Sequence, residues 1–122
     1  MNKKILIVED NKDSLEILGL FITKIGHHSI KARNSKEAIA FAEAEEPDLI
    51  FMDIVMPGVN GYQATRMLNN DPETSLIPII MVTTKGQETD RVWGLRQGAV
   101  DYLVKPVSAQ ALVEKAQAAL AI

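Results

Sequence analysis

Five short apolar runs recur along the chain, and a segment of helical periodicity follows each one. The runs are residues 4–8, 28–33, 49–53, 77–82 and 100–104. The first, third and fourth are apolar almost throughout, which is typical of strands buried on both faces, whereas the second has polar ends and predicts an edge strand. Strict alternation of strands and helices predicts a parallel sheet covered by helices on both sides. The predicted fold class is therefore α/β, a doubly wound, five-stranded parallel sheet.

Size and composition fit one globular domain over residues 1–122, and we expect no second domain. Hydrophobic residues make up 47% of the chain, which is enough for a substantial core. The formal net charge of −3 argues weakly against nucleic-acid binding, and the absence of cysteine excludes disulfides and cysteine-ligated metals. No apolar run is long enough for a signal peptide or a membrane span, so we expect a cytoplasmic protein without membrane insertion.

Polar residues end four of the five predicted strands: Glu9 and Asp10 follow the first, Asp53 ends the third, Thr83 follows the fourth and Lys105 follows the fifth. In a parallel sheet these carboxyl ends lie side by side at one edge, where the ligands of open α/β sheets bind. Each residue by itself has an ordinary explanation, such as a helix cap or a solvated surface charge. Their occurrence together at one edge indicates a functional site.

Three carboxylates at one edge repel one another, and a divalent cation relieves that repulsion. Mg²⁺ prefers oxygen ligands, among them one or two carboxylates. With such an ion bound, Asp53 stays ionised and is able to act as a nucleophile, because carboxylates form aspartyl phosphates. Lys105 offers a compact positive charge to the phosphoryl oxygens, and the Thr83 hydroxyl is able to donate a hydrogen bond to one of them. The pattern predicts phosphoryl transfer to Asp53.

The whole chain resembles the receiver domain of two-component response regulators. The resemblance rests on residues that occur in the family's order, namely Glu9-Asp10, Asp53, Met56-Pro57-Gly58, Gly61, Thr83 and Lys105-Pro106. It implies a flavodoxin-like (βα)5 fold with strand order 2-1-3-4-5. It also implies that the protein is not an enzyme acting on other substrates, and that it catalyses only its own phosphorylation and dephosphorylation at Asp53.

The resemblance assigns the chemistry of the site. Asp53 is implied to accept a phosphoryl group from a sensor histidine kinase or a histidine phosphotransfer protein, and so to become a 4-aspartylphosphate. The implied ligands of Mg²⁺ are the side chains of Glu9, Asp10 and Asp53, with Glu9 acting mostly through water. The backbone carbonyl of Val55 is implied to complete the protein's share of the ligands.

The resemblance also assigns a switch. Thr83 and Tyr102 are the implied switch residues: the hydroxyl moves toward the phosphate, and the aromatic ring turns inward. Lys105 is implied to bind a phosphoryl oxygen, and its peptide bond to Pro106 is often cis in the family. These changes are expected to alter the face formed by the fourth helix, fifth strand and fifth helix, and hence its affinity for a downstream protein target.

Three segments, residues 52–58, 61–66 and 83–94, are similar to stand-alone regulators of type IV pilus twitching motility. This similarity implies a chemotaxis-like kinase upstream and pilus control downstream, with no output domain in the chain. One departure is Thr84, which is bulkier than the residue that many receivers carry at this place. Because a bulky side chain narrows access to the acyl phosphate, we expect slow intrinsic dephosphorylation.

Two other functions would use the same residues. A Mg²⁺-dependent phosphohydrolase needs a general acid near its nucleophile and a cap that excludes water. Here the residue two beyond Asp53 is Val55, and no insertion is long enough to form a cap. A binding module that works without phosphorylation has no need of the acidic pair, Asp53, Thr83 and Lys105 together. The sequence therefore favours the phosphorylation switch.

Some features have more than one interpretation. Ile17 and Leu20 lie off the apolar stripe of the first helix, which fits either scattered surface residues or a docking patch for the phosphodonor. Trp93 is expected to pack in the core, with a partner-facing anchor as the alternative. Met67 is also expected to be buried. His27-His28 predicts a turn rather than a metal site, because no acidic or cysteine partner lies at ligand spacing.

Overall fold

A computed structural model describes residues 2–84 and 88–120 of the chain. Its five strands form one parallel sheet in the order β2-β1-β3-β4-β5, which confirms the predicted fold class and strand order. The strands are β1 (Lys4–Val8), β2 (His28–Ala32), β3 (Leu49–Asp53), β4 (Ile79–Thr83) and β5 (Asp101–Val104). Residues 85–87, which belong to the segment similar to the twitching-motility regulators, lie outside the described residues.

A helix follows each strand, as the alternating pattern predicted. The helices are α1 (Lys12–Lys24), α2 (Ser35–Glu45), α3 (Gly61–Asn70), α4 (Glu88–Arg96) and α5 (Ala109–Leu120). Three of them begin after an asparagine, Asn11, Asn34 or Asn60, whose side chain accepts a hydrogen bond from the backbone N–H three residues later. Such a cap satisfies a donor that would otherwise lack a partner at the helix N-terminus. No helix in the described part of the chain has the length and apolarity to cross a membrane.

Two apolar cores lie on opposite faces of the sheet. Ile5, Ile7 and Phe51 face α1 and α5, whereas Leu6 and Met52 face α2 and α3. Successive side chains of a strand point to opposite faces, so a strand covered on both sides needs an apolar residue at almost every position. Burial on both faces is thus the physical reason for the unbroken apolar runs.

The surface differs from the predictions at two places. Trp93, expected in the core, is 50% exposed, and its ring meets that of Tyr62 edge to face at 6.5 Å. Met67 is 52% exposed on α3, although its neighbour Leu68 is buried. In both cases helical periodicity allowed burial, but the side chain lies on a part of the helix that is half exposed to solvent. The exposure of Leu20, at 58%, agrees with its place off the apolar stripe of α1.

Candidate phosphoacceptor site

The carboxyl ends of the strands meet at one edge, as their polarity requires. The register pairs Asp53 with Val82, directly before Thr83. Thr83 in turn is paired with Val104, directly before Lys105. On the other side of β3, β1 ends at the same level and brings its following acidic pair to the same edge. The sheet therefore gathers residues that are far apart in the sequence.

The acidic cluster consists of Glu9, Asp10 and Asp53. Each offers a carboxylate oxygen, and the three oxygens lie within 4.8 Å of one another. Glu9 and Asp53 are buried, while Asp10 is partly exposed. Hard cations such as Mg²⁺ are held by oxygen ligands of this kind, so the donor set fits the ion that the sequence predicted.

Lys105 faces this cluster. Its ammonium donates a hydrogen bond to Glu9 Oε1 and lies 3.5 Å from Asp53 Oδ1. The backbone N–H of Lys105 donates to the carbonyl oxygen of Thr83 at 2.7 Å, which fixes the lysine relative to the end of β4. The peptide bond between Lys105 and Pro106 is cis. Both the main chain and the side chain of Lys105 thus contact predicted site residues.

The ionisation of the cluster is unequal. Burial, together with the hydrogen bond and the negative charge of Glu9, raises the pKa of Asp53 to about 7, although the charge of Lys105 opposes the rise. Burial also disfavours the charged form of Glu9, but hydrogen bonds from Lys105 and Asp53 outweigh it and leave the pKa of Glu9 below its ordinary value. Burial lowers the pKa of Lys105, yet its bond to Glu9 and the charge of Asp53 raise it overall. One ammonium therefore does not neutralise all the carboxylates, and the remaining repulsion and burial disfavour the charged form of Asp53.

The acidic pair does not cap the helix that follows it. Asn11 caps α1, and its side-chain oxygen accepts from the N–H of Ser14 at 2.9 Å. Glu9 instead points inward, and its second oxygen accepts from the N–H of Asn11 at 3.2 Å. The helix-cap explanation that the sequence left open for the acidic pair is therefore not needed.

Close packing behind Asp53 depends on Gly61. A Cβ atom at this position would overlap the carbonyl oxygen of Asp53 and crowd the backbone of Ile54. The N–H of Gly61 donates to the carbonyl of Ile54 at 2.8 Å, which begins α3 directly beside the end of β3. Because any larger residue would have to displace that backbone, only glycine allows the end of β3 and the start of α3 to approach so closely.

The other predicted site residues surround the cluster. Thr83 is buried at the end of β4, while Val55 lies in the loop after β3 with its side chain 60% exposed. Tyr102 is partly buried on β5 and packs near Ile54, and the guanidinium carbon of Arg91 lies 5.6 Å from the centre of its ring. Tyr102 thus connects β5 to α4 rather than to the acidic cluster.

An apolar groove of about 460 Å³ opens beside Lys105, between α1 and the β5–α5 loop. Its lining includes Ile17, Leu18, Thr84, Lys105, Pro106 and Val107. The side chain of Ile17 is 51% exposed at this place. The off-stripe residue of α1 therefore borders the site, a position that the helical pattern alone did not fix.

The chain belongs to the response regulator receiver domain family, which it matches over residues 5–117. It is 53% identical over 118 residues to Protein PilH of Pseudomonas aeruginosa, covering 97% of this chain and 98% of that protein. It is 38% identical over 120 residues to the phosphate regulon transcriptional regulatory protein PhoB of the same organism. That alignment covers 98% of this chain but only 52% of PhoB. The structure of the chemotaxis protein CheY4 of Vibrio cholerae matches 98% of this chain and all of that one, with a TM-score of 0.93 and 26% identity.

These similarities confirm the resemblance drawn from the sequence, including the closer one to twitching-motility regulators. The structure brings Glu9, Asp10, Asp53 and Lys105 together, with Thr83 next to them along the sheet. The roles of these residues in phosphorylation remain predictions. Sequence reasoning missed the contacts of Arg33 and Ser35 with the loops around the cluster. No local pattern marks them, because their partners lie more than twenty residues away.

Proposed function

We propose that the chain is a phosphorylation switch in which Asp53 accepts a phosphoryl group from the histidine of a kinase or phosphotransfer protein. The observation that carries this proposal is a buried carboxylate at a strand end, with two further carboxylates within 4.8 Å and an ammonium at 3.5 Å. In the transfer, an oxygen of Asp53 forms a bond to phosphorus while the phosphorus–nitrogen bond of the donor breaks. The imidazole leaves and takes up a proton.

Glu9, Asp10 and Asp53 would hold Mg²⁺, together with the backbone carbonyl of Val55. When bound, the ion supplies positive charge that keeps carboxylates ionised and offsets charge on phosphoryl oxygens. The chain's own contribution is positioning, because β1 and β3 fix the carboxylates on a rigid sheet edge. Burial of Glu9 and Asp53 limits the water that screens these charges.

Lys105 lies where its ammonium would be able to exchange its carboxylate partners for a phosphoryl group on Asp53. Its ammonium contacts Glu9 and lies near Asp53, so a phosphoryl group on Asp53 adds negative charge within its reach. Charge-assisted hydrogen bonds to phosphoryl oxygens are stronger than neutral ones. The Thr83 hydroxyl, at the end of the adjacent strand, would donate to another of those oxygens. Phosphorylation would thereby draw the ends of β4 and β5 toward Asp53.

Tyr102 would carry this movement to the surface. Between Thr83 and Tyr102 lies a cavity of only about 10 Å³, which is also lined by Arg91 and Gly94 of α4. The ring therefore has no room to turn inward unless Thr83 moves or α4 shifts. A shift of α4 changes the α4–β5–α5 face, and a downstream protein that binds this face would detect the change.

The phosphodonor protein would bind in the groove beside Lys105. This groove lies next to the residue that contacts Asp53, and its lining includes the exposed side chain of Ile17. Leu20 lies one helical turn further along α1 and extends this exposed apolar surface. A Leu20→Glu variant should accept phosphate from the donor protein about tenfold more slowly, because a charge replaces apolar contact. Its rate with a small-molecule phosphodonor should stay unchanged, and equal rates with the donor protein would exclude this docking surface.

Incubation with Mg²⁺ and a small phosphodonor, followed by intact mass measurement, tests the central proposal. We expect one phosphate adduct per chain, absent from Asp53→Asn and retained in Asp13→Asn, a control at an exposed carboxylate of α1. Repeated turnover of the phosphodonor without an adduct would indicate a phosphohydrolase instead. A chain that forms no adduct and turns over no donor would be a binding module that works without phosphorylation.

The similarity to PilH supports a pathway for this switch, namely control of type IV pilus twitching motility by a chemotaxis-like kinase. Phosphotransfer profiling against the kinases of the host would test it. We expect one kinase to transfer phosphate much faster than the others, and deletion of the gene for the chain to alter twitching. A preference for a kinase without any link to pili would overturn the pathway but not the chemistry at Asp53.

A further inference from the structure

The turn between β2 and α2, residues 33–34, and the first residue of α2, Ser35, contact the two loops that carry the proposed metal ligands. One is the β1–α1 loop with Asp10, and the other is the β3–α3 loop, residues 54–60, with Val55. A polar groove of about 460 Å³ separates them, and its lining includes Asp10, Arg33, Asn34 and Pro57. Both contacts are hydrogen bonds.

Ser35 makes the shorter of these contacts. Its hydroxyl donates to the carbonyl oxygen of Val59 at 2.5 Å, across 24 positions of the sequence. Ser35 is only 4% exposed, whereas Val59 is 41% exposed, so the bond is shielded from water on the serine side. Loss of the hydroxyl would leave the Val59 carbonyl without this donor, and the loop would be free to move.

The β3–α3 loop has few other ways to keep its shape. Gly58 adopts a positive φ of 76°, and the side chain of Val55 is 60% exposed. Met56 packs into the core beside α2 and α3, and Asn60 begins α3 through a reciprocal capping box. The bond from Ser35 therefore adds a restraint at Val59 to the loop that begins with Ile54 and Val55.

Arg33 makes a longer contact with the other loop. Its Nη2 lies 3.4 Å from the carbonyl oxygen of Asp10, and the backbone N–H of Arg33 donates to Glu37 at 2.8 Å. The side chain is exposed, so we expect this contact to be weaker than that of Ser35. Together the two contacts fix both ligand loops to one rigid element, the N-terminus of α2.

We propose that Ser35 is a positioning residue for the metal site, which holds the β3–α3 loop where the Val55 carbonyl is able to face the acidic cluster, with Arg33 as a weaker brace on the β1–α1 loop. This inference rests on the proposed function, since it concerns the same ion. Groups that orient metal ligands without touching the metal commonly change its affinity by an order of magnitude or more.

Calorimetric titration with Mg²⁺, on unphosphorylated protein, tests the inference without reference to phosphoryl transfer. Ser35→Ala should bind Mg²⁺ about tenfold more weakly, and Ser35→Thr, which keeps the hydroxyl, should bind within about twofold of the wild type. Arg33→Ala, an exposed change that leaves the core intact, should weaken binding about threefold.

Ser108→Ala is the matched control. Ser108 precedes α5, and its hydroxyl oxygen accepts from the N–H of Ala111 at 3.1 Å, far from both ligand loops in the sequence. This variant and Ser35→Ala should both lose stability in EDTA, but Ser108→Ala should keep the wild-type affinity for Mg²⁺. Wild-type affinity in Ser35→Ala and Arg33→Ala, with Mg²⁺ binding intact in the parent, would overturn this inference alone. A parent protein that binds no Mg²⁺ would overturn the metal site and this inference together.

Discussion

The two edges of the sheet organise charge in opposite ways. At the amino edge, near the start of β1, polar groups are paired. The N–H of Lys4 donates to Asp48 at 2.9 Å, and its ammonium donates to the carbonyl of Glu45 at 3.2 Å. The N–H of Lys3 donates to His27 Nδ1 at 3.1 Å. At the carboxyl edge, three carboxylates meet one ammonium. The sheet therefore has hydrogen-bonded polar groups near the start of β1 and excess negative charge at the carboxyl ends of β1 and β3.

The polar groups at the two edges therefore have opposite effects on the stability of the fold. Matched polar groups at the amino edge contribute modestly to stability, by roughly 0.5–1.5 kcal/mol for each bond. The unmatched carboxylate at the carboxyl edge costs stability, as the raised pKa of Asp53 indicates. A protein keeps such a cost where a ligand relieves it, which supports our proposal that the ion and the phosphoryl group bind at the carboxyl edge.

The largest effect should come from removing the ammonium at the carboxyl edge. Lys105→Met should slow phosphorylation by a small phosphodonor on the order of 100-fold, because the phosphoryl oxygens lose a preorganised positive charge. The matched change at the amino edge, Lys4→Met, removes an ammonium of the same kind and should leave the rate unchanged. Rates are measured from adduct formation by mass spectrometry. A similar loss in both variants would mean that net charge, rather than position, sets the rate.

Neutralising one carboxylate at each edge should change stability in opposite directions. Asp53→Asn should stabilise the protein in EDTA at pH 8 by about 1–3 kcal/mol, because a buried charge that Lys105 does not fully balance disappears. Asp48→Asn should instead lower stability by up to about 1 kcal/mol, since the bond from Lys4 loses its charged acceptor. Urea unfolding measures both. Destabilisation by Asp53→Asn would show that its carboxylate is balanced after all.

The pH dependence of stability should report the same carboxylate. Folding raises the pKa of Asp53 from 3.8 to about 7, so the native state holds a proton that the unfolded state has released. The free energy of unfolding in EDTA should therefore fall as pH rises across that interval and level off above it. The lowered pKa of Glu9 acts below about pH 4.5, and the raised pKa of Lys105 acts above about pH 10.5, so neither of these two groups contributes to the slope between pH 5 and 8.

Asp53→Asn should flatten this slope, whereas Asp48→Asn should keep it. Saturating Mg²⁺ should also remove the slope in the wild type, because a bound cation holds the carboxylate ionised. Unfolding at a series of pH values, with and without the metal, measures all three. A wild-type slope that persists in Asp53→Asn would assign it to another group.

The smallest effect concerns the residue after the predicted switch hydroxyl. Thr84 is exposed and lines the groove beside Lys105, and we expect its side chain to narrow the approach of water to Asp53. Thr84→Ala should speed hydrolysis of the acyl phosphate about threefold, a change of less than 1 kcal/mol in the barrier. Decay of the adduct after removal of the phosphodonor measures this. An unchanged rate would exclude Thr84 as the cause of any slow dephosphorylation.

Sequence reasoning was most successful where the relevant physics is local. Burial on both faces forces apolar residues into consecutive positions of β1 and β3, so both strands were visible as unbroken runs. The polarity of a parallel sheet then placed Glu9, Asp53 and Lys105 at one edge without any coordinates. Strand order, by contrast, came from the family resemblance, because residue patterns do not show which strands are neighbours.

The tertiary structure alone decided how those residues pair. The bond between Lys105 and Glu9 joins positions 96 apart, and the one between Ser35 and Val59 joins positions 24 apart. The half-exposed position of Trp93 was likewise decided by the tertiary structure, since periodicity places the residue on a helix but not against a particular neighbour. Composition and spacing encode which face of an element is apolar and which end is polar. Contacts between distant side chains depend on how the elements pack, and that packing is a property of the whole fold rather than of any segment.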